Sequence, residues 1–533
     1  MIRRSIVAVI VAAVVAASSA AGASQQTPKR GGTVVVGDPE EPACLNVLLD
    51  RCGGFAGNAS RLVTQVLEGA FDIGPDLAYK PDLVARVTIT KEPFALTYHI
   101  RPEARWSDGT PVTAGDFVLS LQAASKYTEL LGEETIGRVR TVDAKTVKVD
   151  LRSRYSGWQG FFEVILPRHI LAGQDFETVW EDTLDNPKSR RPIGSGPFLL
   201  ARWERGKQVT LVRNPRYWGP HTAYLDRLVI RFVPDPIEAL LEGDVDLIAA
   251  PVDAVPELRR QPGIKILTIP SLRWEHFDIR AGPGGHPALR NKLVRRALAY
   301  GIDREALVRA LFGEFLPSPQ PLDSVVFLAN SRFYRPNWQG YRYRPAESRR
   351  LLEQAGCRRG VDGIYVCGGE RLSLRFVTTT GRPVRELTIR LAQAQLRQAG
   401  VEVVPVFAPP PVFFETILPS GDFDVALFAW QNAPIQSDHV DVFGCGGEAN
   451  YMGYCQRLVT ADLDQADRIL DAGRRARVLN RADAQIVKDV PAIPLYQPPA
   501  VVALRTNIRG VVPHPWISGL TWNSEDWWLA PER

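Results

Sequence analysis

The residues with the narrowest chemistry are six cysteines, which fall into three close pairs: Cys44/Cys52, Cys357/Cys367 and Cys445/Cys455. Such pairs can form disulfides or hold zinc. The chain has no C-x-x-C and no histidines paired at ligand spacing, which argues against zinc. Its seven histidines (His99, His169, His221, His276, His286, His439 and His514) are scattered, so no metal site is expected. Nucleophilic chemistry is equally thin. Ser195 sits in Gly194-Ser195-Gly196-Pro197, which lacks the G-x-S-x-G elbow spacing. No H-E-x-x-H, Walker loop or dinucleotide fingerprint occurs, and no cofactor is expected. Asp438 and Asp441 could act as acid and base in a glycosidase, but carboxylates are common and solvated loop charges are the favoured reading. Among 12 tryptophans, Trp274 and Trp430 stand at predicted strand ends, where a flat apolar ring can receive a ligand. Trp522, Trp527 and Trp528 read as residues that pin the tail.

The start of the chain sets the redox context. Arg3 and Arg4 precede an apolar run from Ile6 to Ala17, and small residues follow to Ala21-Gly22-Ala23. This pattern describes a secretory signal peptide over residues 1–23, and the run is shorter than the ~20 residues that span a bilayer. An uncleaved anchor is the alternative. No cysteine follows the apolar run directly, so a lipid anchor is not indicated. The expected location is periplasmic, cell-surface or extracellular. In that setting three local disulfides are expected, each closing a short loop for about 2.5–3 kcal/mol on the chain-entropy model.

Composition bounds the rest. The 533 residues are 45% hydrophobic and 23% charged, ordinary values for a globular chain of about three to four domain-sized units. Removing Arg3 and Arg4 with the leader leaves 62 basic against 59 acidic residues, a net charge of +3. That balance gives no electrostatic case for binding nucleic acid.

Elements that could position a site follow from periodicity. Alternation predicts strands over 31–36, 96–100 and 147–151, and a hairpin of 198–203 with 209–212. Thr113 and Asp116 form a capping-box pattern before a helix. Two stretches alternate strand and helix. The first has strands over 228–233 and 245–248 flanking a helix over 236–241. The second has strands over 374–378, 401–406 and 424–430, with helices over 383–398 and 411–418. Leu387 and Leu391 fall on one face of the longer helix. Such alternation argues for parallel sheets with crossover helices, whose ligands bind at the carboxyl ends of the strands.

Several strings taken together are specific. Trp106-Ser107-Asp108-Gly109-Thr110-Pro111-Val112-Thr113-Ala114 resembles a signature of the peptide/nickel-type, family 5 extracellular solute-binding proteins of ABC importers. So do Gly194-Ser195-Gly196-Pro197-Phe198, Arg213-Asn214-Pro215-Arg216-Tyr217-Trp218, and the run from Val294 to Arg304 with Asp303 as a helix cap. The helix from Glu347 to Gly356 matches as well. The resemblance implies a two-lobe α/β fold of the periplasmic-binding-protein type (type II, cluster C) with an additional inserted subdomain. It places the first lobe at 24–57, 192–270 and 497–533, the insert at 58–191, and the second lobe at 271–496. The hinge crossings fall near 269–274 and 496–499.

It also implies a non-enzymatic, monomeric receptor that takes a peptide or other polar small molecule to membrane permease subunits. In peptide-binding members an Asp three residues after the strand-end Trp pairs with the peptide amino group. Here that Trp corresponds to Trp430 and the third residue on is Ala433, which cannot compensate a buried ammonium. A neutral or N-blocked peptide, a sugar or another polar molecule is therefore favoured. The expected ligand contacts are Trp430, Gln431, Asn432 and Trp274, then Asn46, Asn450 and Tyr451. A secreted hydrolase using Asp438 or Asp441, and a sensing or chaperone-like protein without a permease, are the rival readings.

Overall fold

The computed structural model describes residues 27–53, 58–128, 130, 132–316, 318–432, 439–515 and 517–531. The proposed leader, Ala433 and Asp438 lie outside the described residues.

Two α/β sheets organise the chain. The first has seven strands in the spatial order Ile264–Pro270, Pro499–Arg505, Leu247–Ala250, Thr33–Asp38, Arg227–Phe232, Gln208–Arg213 and Phe198–Glu204. Thr33–Asp38 is central and runs parallel to both Arg227–Phe232 and Leu247–Ala250. The helix Pro236–Glu242 crosses between those two neighbours, capped by Asp235, whose carboxylate accepts from the Ile237 and Glu238 amides. The predicted hairpin appears as Phe198–Glu204 with Gln208–Arg213.

The second sheet has five strands in the order Glu402–Ala408, Ser373–Thr379, Val425–Gln431, Arg273–Ile279 and Ala492–Tyr496. The first three are parallel, and Arg273–Ile279 is antiparallel to both of its neighbours. The crossover helix Pro383–Ala399 packs on this sheet through a face that leaves Leu387 outside. Thr388, Ile389, Ala392 and Leu396 are buried, whereas Leu387 is exposed and Leu391 only partly buried. Small residues at 388 and 392 let the helix approach closely, which a count of leucines does not reveal. Beyond Glu402–Ala408 the predicted single helix is three short pieces, with a π-type turn over Phe413–Ile417.

A four-stranded antiparallel sheet is formed by Val84–Lys91, Phe94–Ile100, Thr146–Leu151 and Ile136–Asp143. It does not have a core of its own. One continuous apolar cluster runs from Val34, Leu228 and Phe198 through Leu62 and Trp106 to Leu96, Phe117 and Val147. A second large cluster joins Phe277, Phe376 and Leu427 to Leu298, Leu352, Leu396 and Leu479.

The three expected disulfides are all present, as Cys44–Cys52, Cys357–Cys367 and Cys445–Cys455. Their places differ. Cys44 and Cys52 are buried with Leu49 in a small cluster of their own. Cys357 and Cys367 are buried in the second large cluster, where they tie the end of the helix Pro345–Gln354 to the strand Tyr365–Cys367. Both bonds therefore serve packing.

The signature strings are structural. Trp106 is fully buried. The Asp116 carboxylate caps its own helix by accepting from the Thr113 amide at 2.6 Å, and accepts the Arg168 amide at 2.7 Å. Ser195 is fully buried and accepts from the Glu68 amide at 3.0 Å. Tyr217 and Trp218 donate to the two carboxylate oxygens of Glu68 at 2.7 and 2.8 Å. Trp527 is buried and Trp522 half-buried; each donates its indole N–H within the C-terminal segment, as expected of a pinned tail.

Glu68 belongs to a group of carboxyls that favour their protons. Burial raises Glu68, with Asp82 adding to the effect. Burial and Asp72 push Asp82 up to about 7. Burial, Asp526, Asp72 and Asp82 push Glu525 up to about 8. Folded-state values above the ordinary 3.8 and 4.5 mean that the folded protein holds these protons more tightly than the unfolded chain. Their stabilisation is complete below pH about 4 and is lost as pH rises through about 7–8. The thermal midpoint is therefore expected to rise as pH falls from 8.5 to 5.5. Calorimetry across that range checks this, and Glu525→Gln should flatten the slope; an unchanged slope would contradict the assignment.

Candidate ligand-binding site

The three parallel strands of the second sheet end at one edge, at Thr379, Ala408 and Gln431. The antiparallel strand Arg273–Ile279 starts at that same edge, and its register sets Trp274 opposite Trp430 and Arg273 opposite Gln431. Strand pairing thus brings together residues more than 150 positions apart. Trp274 is buried and donates its indole N–H to Asn432 Oδ1 at 3.0 Å, while the Asn432 amide donates to Leu272 O at 2.9 Å. The half-buried rings of Trp430 and Tyr451 lie parallel, 6.1 Å apart at 8°. Four of the expected contacts, Trp274, Trp430, Asn432 and Tyr451, therefore form one shelf. Gln431 is exposed beside it.

Two donors on this shelf are buried without an acceptor among the described residues: Trp430 Nε1 and Asn432 Nδ2. A buried N–H left unpaired costs about 1–3 kcal/mol, so each favours an incoming oxygen.

Asn46 and Asn450 do not join the shelf. Asn46, inside the loop closed by Cys44 and Cys52, is buried; it donates to Phe176 O at 2.7 Å and accepts from the Leu48 amide at 3.2 Å. Asn450 donates to Gly444 O and Tyr454 O and accepts from the Tyr454 amide. Asn450 spends its side-chain amide on holding its own loop, the local use that favours Asn in turns, whereas Asn46 ties its loop to the distant segment around Phe176. Asn450 acts indirectly, because its loop carries Tyr451. The Cys445–Cys455 disulfide closes that loop, and Arg280 donates to Tyr451 O at 2.7 Å. Burial, with Asp278 nearby, raises the Tyr451 phenol above its ordinary range, so it keeps its proton.

The opposite face of the same edge is cationic, which sequence reasoning missed. Arg385, in the first turn of Pro383–Ala399, is buried and donates to Glu275 at 2.9 and 3.1 Å and to Thr379 Oγ1 at 3.1 Å. Arg382 precedes that helix, and its side chain makes no capping bond. Arg273 and Arg382 are close enough to repel, and neither guanidinium has a hydrogen-bond or ion-pair partner among the described residues. Desolvation is the main cause that lowers Arg273 below the usual arginine range, yet it stays charged. Arg385 thus binds the Glu275 carboxylate, Arg273 lies within its field, and Arg382 lies near Arg273. The only available signal was Arg382 in a Gly-Arg-Pro loop opening a crossover helix, where anions often bind.

Two chain crossings join the sheets. Ile264–Pro270 passes into Arg273–Ile279, and Ala492–Tyr496 passes into Pro499–Arg505. Ser271 donates its amide to Pro498 O at 3.0 Å. Gln497 accepts from the Ala329 amide at 3.1 Å and donates to Ser271 O and Asn330 Oδ1.

No cluster of three potential metal ligands occurs among the described residues. Asp441 is exposed on the short helix His439–Phe443.

Known proteins place this geometry. The chain is 29% identical over 485 residues to the oligopeptide-binding protein OppA of Mycobacterium tuberculosis, covering 88% of this chain and 80% of that one. The solved structure of the periplasmic EDTA-binding protein EppA superposes with a TM-score of 0.80 at 23% identity, over 95% of this chain and 98% of that one. The oligopeptide-binding protein AppA of Bacillus subtilis, solved with a nonapeptide, gives 0.69 at 23% identity over 95% and 100% of the two chains. The fold is therefore the two-lobe, cluster C binding-protein fold. The family model described as "Bacterial extracellular solute-binding proteins, family 5 Middle" matches residues 78–441. With two thirds of its length inside that model, the chain belongs to the family 5 extracellular solute-binding proteins, receptors of ABC importers and not enzymes.

Proposed function

We propose that this receptor captures an oxygen-rich polar solute bearing a carboxylate or similar anion, closes on it, and delivers it to an ABC permease. The supporting observation is that donors without acceptors stand on both faces of the second sheet's edge. Trp430 Nε1, Asn432 Nδ2 and two unpaired guanidinia are all donors. Donors left bare at a cleft edge favour carbonyl and carboxylate oxygens, and arginine forks match carboxylates geometrically. The Trp430–Tyr451 pair adds flat apolar area. Peptides and EDTA, the solutes named for similar proteins, both present such oxygens.

In this reading the first lobe comprises 24–57, 192–270 and 497–533, the insert 58–191, and the second lobe 271–496. The mature protein is exported after loss of residues 1–23. Ligand bridging the lobes shifts the population toward the closed form that docks on the permease.

Native mass spectrometry of gently purified mature protein, followed by denaturation to weigh the released solute, tests the proposal. The expected result is an acidic mass from wild type, either one compound or a peptide ladder, and its loss from Arg273→Met with Arg382→Met. A purely cationic or neutral solute, or full retention by the double variant, would refute it.

A further inference from the structure

Behind the shelf lies a pair of ionisable side chains that ligand contact does not explain. His276 and Asp278 follow Trp274 on the same face of Arg273–Ile279, and both are 0% exposed. His276 Nε2 lies 3.2 Å from Asp278 Oδ1, an ion-pair distance outside hydrogen-bond alignment. No other group among the described residues hydrogen-bonds either side chain. A carboxylate sealed from water needs a countercharge, and the imidazole is the group at hand. Around it the rings are ordered. The His276 ring is 4.4 Å from Trp274 and 4.5 Å edge-on to Phe428. It lies parallel to Trp430 at 6.2 Å and 12°, and Trp430 in turn lies parallel to Tyr451.

We propose that His276, held as an imidazolium by Asp278, is a positioning residue that fixes the planes of Trp274, Trp430 and Tyr451 before ligand arrives. A cation against an aromatic face favours one orientation of the ring. A shelf already ordered gives up less side-chain freedom on binding. The functional importance of this role rests on the shelf being the ligand contact; the charge state and the ring order do not.

The test uses ligand-free mature protein labelled with 15N-histidine at neutral pH. Wild type is expected to show a doubly protonated imidazole signal that His276→Gln removes. In Asp278→Asn that imidazolium signal should be lost, the near-UV circular dichroism of the tryptophans should collapse, and quenching of their fluorescence by acrylamide should increase. The control is His276→Phe with Asp278→Leu, because replacing a buried ion pair by apolar groups of similar shape is often neutral or stabilising. This double variant should fold and yet show disordered tryptophan spectra. A neutral His276 in wild type, or wild-type spectra and quenching in the double variant, overturns the proposal. If the ligand binds elsewhere, affinity survives loss of Trp430 while these ligand-free signatures persist, so the two readings fail separately.

Discussion

Glu275→Ala is expected to lower the unfolding free energy by about 3–5 kcal/mol, the range for stripping one partner from a buried ion pair. Glu275 and Arg385 are 6% and 7% exposed, and the guanidinium meets the carboxylate through both Nε and Nη2. Without Glu275 the guanidinium keeps, among the described residues, only Thr379 Oγ1 as a neutral acceptor. It would also face Arg273 with no compensating charge. The loss therefore comes from a stranded cation more than from a missing contact. Glu275→Ala combined with Arg385→Leu should recover most of it. Urea titrations of the single and double variants check this. A single variant within about 1 kcal/mol of wild type would be a surface-pair value and would mean that water reaches the guanidinium.

Trp430→Ala with Asn432→Ala is expected to weaken binding of the co-purified solute by about 100-fold or more, close to 3 kcal/mol. The first change removes half of the parallel aromatic pair and one bare donor. The second removes the other donor and leaves Trp274 Nε1 without its acceptor. Calorimetric titration of the refolded, stripped protein measures it. Far-UV circular dichroism guards against misfolding, because the side chains replaced are only half-buried. Unchanged affinity would place the ligand away from this edge.

Much of this architecture was legible, because strands buried on both faces and crossover helices leave strong local patterns. The disulfides were legible for a similar reason, since Cys44 and Cys52, or Cys357 and Cys367, sit only 8 and 10 positions apart. The register that joins Trp274 to Trp430 was not, since it depends on pairing between strands far apart in sequence. The same limit explains Asn46. Whether an asparagine faces ligand or loop depended on Phe176, 130 residues away. Arg273 and Arg382 were passed over because arginine is common on surfaces; what distinguishes them is the lack of a carboxylate bound to them, a property of space. Leu387 shows the converse limit. A large apolar residue at helical spacing drew notice, while the helix packs through Thr388 and Ala392.

The apolar cluster shared by the seven-stranded and four-stranded sheets also bears on mechanics. Side chains from Val34 to Val147 interlock without a seam, so sliding one sheet past the other would open voids throughout a packed interior. The molecule should thus behave as two levers on a double-stranded flexure, not three. Optical rulers placed across those two sheets would read a constant length, while rulers spanning the Ser271 and Gln497 crossings would report every stroke. For a sensor built on this scaffold, that tells the engineer where a dye pair is silent and where it speaks.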